Sequence, residues 1–239
     1  MGPATRVAAQ IEHRLAPHSN PERSHFMTRG YAPSALRCLG VAVPDLRVVV
    51  REFSTSLKLV PPDHLIEIAL ALVRRRTVEG RQVGYELLAR RRDAMALLRT
   101  ALVEQLGEGN DNWASVDGFA TSLAGPAWRD GRVSDAAVRR WARSPDKWWR
   151  RTALASTVAL NVAARGGTGD TRRTLMVCDE FGDVTDPMLA KALSWALRSL
   201  VPHDPDAVRK FLDRHPTLPA LVRRETVTKL ETGLKARTR

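Results

Sequence analysis

Three short stretches hold the side chains that could do chemistry. The first is DNWASVDGFA, residues 111–120. Asp111 or Asn112 can cap a helix there, and on that helix Trp113 and Asp117 stand at i and i+4, on one face. The pair reads either as a core indole with a surface acid one turn on, or as an aromatic and a carboxylate aimed together into a groove. The second stretch is SPDKWWRRTALAS, 144–156. Ser144-Pro145-Asp146 starts a helix on which Trp148 and Arg151 fall at i and i+3, while Trp149 and Arg150 point elsewhere. An arginine of this helix could hold a phosphate through paired N–H donors; the other reading is a core tryptophan beside solvated arginines. The third is KALSWALRSL, 191–200. Lys191, Trp195 and Arg198 follow i, i+4, i+7, a basic stripe with an aromatic at its centre. The apolar positions Ala192, Leu193, Ala196, Leu197 and Leu200 lie opposite, so Trp195 stands off the core face.

Other chemistries find little material. The six histidines, His13, His18, His25, His64, His203 and His215, have no HExxH or paired spacing, so no metal site is expected. A P-loop sequence is missing, as is GxGxxG, and Gly166-Gly167-Thr168-Gly169 reads as a loop. The two cysteines, Cys38 and Cys178, are far apart in sequence and are expected to be free thiols in a reducing compartment. No cofactor is called for.

The elements that must position these residues are helices. Leu65, Ile68, Ala69, Leu72 and Val73 share one helical face, as do Leu193, Ala196, Leu197 and Leu200, and again Val208, Phe211 and Leu212. Val48-Val49-Val50 is β-prone, but the charge spacing of DLRVVVREF is helical, and helix is the expectation. Turn signals at Pro17, Pro44, Pro61-Pro62, Gly125-Pro126, Gly166-Gly167 and Pro216 cut the chain into short helices. Pro62-Asp63, Asp186-Pro187 and Asp204-Pro205 each supply a cap or a first-turn proline. Helix pairs recurring at roughly 35–45 residues point to an all-α, HEAT-like solenoid, with a non-repeating helical domain as the alternative. We expect a single domain over residues 1–239, its tail from about 233 partly disordered.

Charge points to the partner. The chain of 239 residues has 38 Lys and Arg against 26 Asp and Glu, a net charge of +12. Such a balance suits a polyanion, and 44% apolar residues with six tryptophans rule out a wholly disordered chain. Basic runs fall at 74–92, at 139–151 and in the tail; alone, each would be a solvated helix face, but three on one solenoid could line a common groove. The N-terminus has no apolar signal segment, and no stretch nears the ~20 apolar residues of a membrane span. A soluble, cytoplasmic, monomeric protein is expected.

At these same segments the chain resembles the DNA alkylation repair family, the AlkD-like glycosylases. Leu39-Gly40 with Val43-Pro44-Asp45-Leu46-Arg47, then DNWASVD, WWRRTA, KALSWALR, DPDAVRKFLDRH and LVRRE match in order, over residues ~25 to ~230. The resemblance implies a HEAT-like solenoid with a basic concave cleft for duplex DNA. Trp113 and Asp117 match the family's active-site tryptophan and aspartate, Trp195 its second cleft tryptophan, and Arg151 its phosphate-contacting arginine. Arg198 matches a further basic cleft position, with Lys191, Arg150 and Trp148 as neighbouring DNA contacts. Phe26, with Tyr31, falls where the family places an aromatic near the lesion, although GYAPSALRC is longer than the family's stretch.

The activity implied is hydrolysis of the N-glycosidic bond of cationic N3- or N7-alkylated purines in duplex DNA, without base flipping and without metal or cofactor. Some members protect producers of DNA-alkylating natural products, and the doubled Trp148-Trp149 and the stretch 166–173 suggest room for a bulky adduct. Two other readings remain: a non-catalytic DNA-binding relative, which would usually lack the cleft aromatic or carboxylate, and a HEAT-type protein–protein scaffold, which the +12 charge disfavours.

Overall fold

The computed structural model describes residues 2–234; the basic tail residues 235–239, on which much of the expected disorder falls, lie outside the described residues. Among those described there is no strand. One isolated parallel bridge joins Arg37 to Thr77. The fold is all-α, with helices packed one on the next in a HEAT-like series. By internal packing the chain forms two compact units, Met1–Leu123 and Ala124–Arg239.

The first unit holds α1 (Pro3–Leu15), α2 (Pro21–Phe26), α3 (Val43–Ser56), α4 (Pro62–Arg74), α5 (Val78–Ala89), α6 (Arg92–Leu97), α7 (Thr100–Gly107) and α8 (Trp113–Phe119). Its centre is α4, packed against α1 and α5, with α3 and α8 against α5. The predicted face of α4 is the buried one: Leu65, Ile68, Ala69, Leu72 and Val73 are all in the core. Each such large aliphatic side chain contributes about 1.5–3 kcal/mol on burial. The three valines are helical, as expected. In α3, Val49 and Val50 face inward and Val48 faces solvent.

Between α2 and α3 the chain is irregular but tightly tied. Residues Met27–Tyr31 form a π turn, closed by the Ala32 N–H donating to the Met27 carbonyl at 2.7 Å. Glu79, 4% exposed, then accepts N–H bonds from Leu39 (2.9 Å), Gly40 (2.8 Å) and Val41 (3.3 Å). Buried Glu12 accepts from Thr77 Oγ1 at 2.7 Å and Arg75 Nε at 2.6 Å, and reaches Arg37 at 3.3 Å. Gly40 is indispensable to this crossing. Its φ is +74°, and a Cβ would stand 2.1 Å from the Asn20 carbonyl oxygen.

The second unit holds α9 (Gly125–Arg129), α10 (Asp135–Ala142), α11 (Lys147–Ser156), α12 (Val158–Asn161), α13 (Thr171–Cys178), α14 (Pro187–Leu200), α15 (Pro205–Arg214) and α16 (Ala220–Thr232). Here α14 is the hub, touching α11, α12, α13, α15 and α16. Its Leu193, Ala196, Leu197 and Leu200 are fully buried. The caps fall where the sequence places them. Asp146 accepts from Trp148 N at 2.8 Å, Asp186 from Met188 N at 2.7 Å and Leu189 N at 3.1 Å, and Asp204 from Ala207 N at 3.0 Å. The Gly-rich stretch is a loop, as expected. Gly167 is buried against Asn161, whose backbone N would lie 2.5 Å from an added Cβ.

Candidate functional site

In the first unit the candidate site is built on the short helix α8. Asn112, not Asp111, is its cap: the Asn112 side chain accepts from Ser115 N at 2.9 Å. That leaves the Asp111 carboxylate for another partner. It accepts the Ser34 hydroxyl proton at 2.5 Å and the Ala35 N–H at 2.6 Å. Ser34 is drawn in further, because Asn112 Nδ2 donates to its oxygen at 3.3 Å. The chain after the π turn is thereby pinned to the first turn of α8.

This tether settles the surroundings of Trp113. Its indole N–H donates to the Tyr31 carbonyl at 2.8 Å, and the Tyr31 ring meets it edge-on, with centroids 4.8 Å apart and planes at 69°. Phe26 stacks on Tyr31 at 5.9 Å and 18°. Trp113 is half-buried, while Phe26 and Tyr31 are 60% and 51% exposed. Trp113 is therefore neither a core tryptophan nor a free one. Its polar edge is spent on the chain, and it joins an aromatic cluster at the surface of the unit. Asp117, also half-buried, follows one turn later on the same helix, and its carbonyl accepts from Thr121 Oγ1 at 2.7 Å. Of the sequence candidates, Phe26, Tyr31 and Trp113 thus form one cluster, and Asp117 stands one turn on from Trp113 along the same helix. Ser34 and Asp111 were not foreseen in this role: an Asp before a helix reads as a cap, and its actual partners lie over 70 residues away in sequence.

The second unit arranges its candidates less uniformly. Lys191 is exposed and Trp195 half-buried on α14. Arg198 breaks the expected basic stripe. It lies against α16, with Nη2 3.3 Å from Glu225 and Nε donating to Ser194 Oγ at 3.1 Å. Burial pushes its pKa down, and Glu225 opposes the shift. The reason for the departure is that α16 packs on α14 and brings an acid to this side chain, which helical periodicity alone does not reveal. Arg151 is 5% exposed, and its Nη1 donates to the Met188 carbonyl in the first turn of α14. Arg150 lies over the Phe181 ring at 5.3 Å. Trp148 is half-buried with the Lys147 ammonium 4.9 Å from its ring, whereas Trp149 packs on buried Trp141 at 5.3 Å. The doubled tryptophans therefore divide their work, Trp149 serving the interior of the unit.

An all-helical, HEAT-like protein with a surface aromatic cluster beside a helix-borne carboxylate is the class these observations define. The family model for DNA alkylation repair enzymes matches residues 11–230. The chain belongs to that family, and its work is the repair of alkylation damage in DNA. No curated protein matches the sequence.

Proposed function

We propose that the protein is a monofunctional DNA glycosylase that hydrolyses the N-glycosidic bond of cationic N3- and N7-alkylpurines in duplex DNA without flipping the base, and that its substrates include bulky adducts. Alkylation gives the purine a positive charge. When the bond from C1′ to the purine nitrogen breaks, its electron pair neutralises that charge, and positive charge moves to the deoxyribose. Water then adds at C1′ and loses a proton. A fixed carboxylate beside the sugar stabilises the developing cation and orients the water. We assign that role to Asp117. Trp113 offers the electron-rich face of its ring to the same cation, and Phe26 and Tyr31 extend the surface next to the lesion. Trp195, Trp148, Lys191 and Arg150 are assigned to the sugar and phosphates of the bound duplex, and Arg151, 5% exposed and held by the Met188 carbonyl, to fixing α11 against α14 behind them.

The observation that supports this most is the placing of Asp117 one turn from an indole whose orientation is fixed from both sides, by the Tyr31 carbonyl and by the Tyr31 ring. Prearranged groups of this kind stabilise a transition state without reorganising. The test is Asp117→Asn. Release of 3-methyladenine and 7-methylguanine from alkylated duplex is expected to fall by about 10²–10³-fold, while binding to undamaged duplex is retained. Full activity in the variant would overturn the assignment.

A further inference from the structure

We infer that a groove in the first unit, beside the aromatic cluster, is a phosphate-binding site built on Arg29 and Arg37. The groove has a volume of about 670 Å³, and its lining includes Ser24, Thr28, Arg29, Ser34, Arg37 and Cys38, with no acid among the lining residues. That volume is in the range of small-ligand sites.

The lining chooses its ligand through what is already spent. The Ser24 hydroxyl donates to the Cys38 carbonyl at 2.8 Å, Thr28 donates to the Ser24 carbonyl at 2.9 Å, and Ser34 donates to Asp111. All three hydroxyl protons are committed, so the donors left for an anion are the guanidiniums. Arg29 is exposed and has no ion-pair partner among the described residues. Arg37 reaches Glu12 with Nη2 alone, at 3.3 Å. Glu12 is already held by Arg75 at 2.6 Å, so its charge is answered before Arg37 adds a second cation. Together Glu12, Arg75 and Arg37 keep one net positive charge, and Arg29 adds another. The Asp111 carboxylate stands behind Ser34 and offsets part of this charge, but it accepts the Ser34 O–H and the Ala35 N–H and does not itself line the groove; two guanidiniums facing one concavity match the bidentate recognition of phosphoryl oxygens.

The position suggests whose phosphate it is. Thr28 and Arg29 belong to the π turn that ends at Tyr31, and Ser34 is pinned to Asp111, two residues before Trp113. A phosphodiester of the strand in contact with the aromatic cluster would be the source. This inference goes further than the glycosylase reading, since it names where one backbone phosphate would rest, but it does not require that a base be released.

The test uses the full chain and undamaged duplex, so a failure of base excision does not enter. Anisotropy of a labelled duplex is followed from 50 to 200 mM salt. Each lost phosphate contact lowers the slope of log K against log salt by about 0.9, a loss of about threefold in the salt sensitivity of binding over that interval. Arg29→Ala is expected to show this decrement, Arg29→Lys to restore most of the slope, and Arg29→Ala with Arg37→Ala to show about twice the decrement. Because Arg37 also touches Glu12, the single Arg29 variant decides the question. A second arm measures thermal stabilisation by inorganic phosphate and by ATP. A reduced slope assigns the site to the DNA backbone. An unchanged slope with phosphate or ATP stabilisation that Arg29→Ala abolishes assigns it to a free phosphate compound. An unchanged slope and no such stabilisation overturn the inference.

Discussion

The tether from Asp111 to Ser34 and Ala35 gives the sharpest prediction. Asp111→Ala removes two charge-assisted acceptors at once, at 2.5 and 2.6 Å. Bonds to charged groups are worth about 1.5–3 kcal/mol each in the interior. Both donors here can turn to water, because Ala35 is exposed and Ser34 half-buried, so about 1 kcal/mol apiece is the appropriate figure. The sum, about 2 kcal/mol, raises the opening equilibrium of the segment 32–36 about thirtyfold. The packing of α4 and α5 does not depend on it, so global unfolding is expected to change much less. Hydrogen exchange read by mass spectrometry on peptides spanning 27–36 would show the effect directly, with base release falling alongside because Tyr31 no longer holds Trp113. Asp111→Asn keeps one acceptor and is expected to lie between. If Asp111→Ala leaves exchange in 27–36 as it was, the reasoning that α8 is aimed through this carboxylate is wrong.

Two further outcomes follow from the same geometry. Arg198→Ala takes the cation from Glu225, which keeps the Ser194 hydroxyl bond at 2.6 Å, and is expected to lower stability by about 1–3 kcal/mol in urea denaturation, with the salt slope of DNA binding unchanged; a lost slope at unaltered stability would mean that this arginine serves DNA instead. Burial, and after it the Glu79 carboxylate, pushes the Cys38 thiol up to about 11, so at pH 8 its thiolate is scarce and iodoacetamide is expected to label it about two hundredfold more slowly than an ordinary thiol, gaining speed only as the pH nears 11. Rapid labelling at pH 8 would contradict the closed setting described for residues 38–41.

Much of the framework was legible in the sequence because helical faces and caps are local. The face of α4, the face of α14 and the caps at Asp146, Asp186 and Asp204 all depend on residues within a few positions of one another. The helix that carries Trp113 and Asp117 one turn apart was legible for the same reason. What gives Trp113 its setting was not: Tyr31 lies 82 residues before it, on a π turn that no propensity signals. Nor could spacing tell that Trp149 would find Trp141, or that Arg198 would find Glu225 on α16. Each depends on which helix arrives alongside, a matter of tertiary packing.

The π turn at 27–31 has a consequence of its own. Such a turn holds one residue more than an α-helical turn, and it arises by inserting a single residue into a helix. Deleting one residue between Met27 and Gly30 would let the segment relax to ordinary helix and swing the phenol of Tyr31 by roughly 100° about the axis, since each residue of an α-helix advances by that angle. The direction in which this ring faces is thus governed by a count of backbone units. A length change there could redirect it while every neighbouring side chain stayed the same.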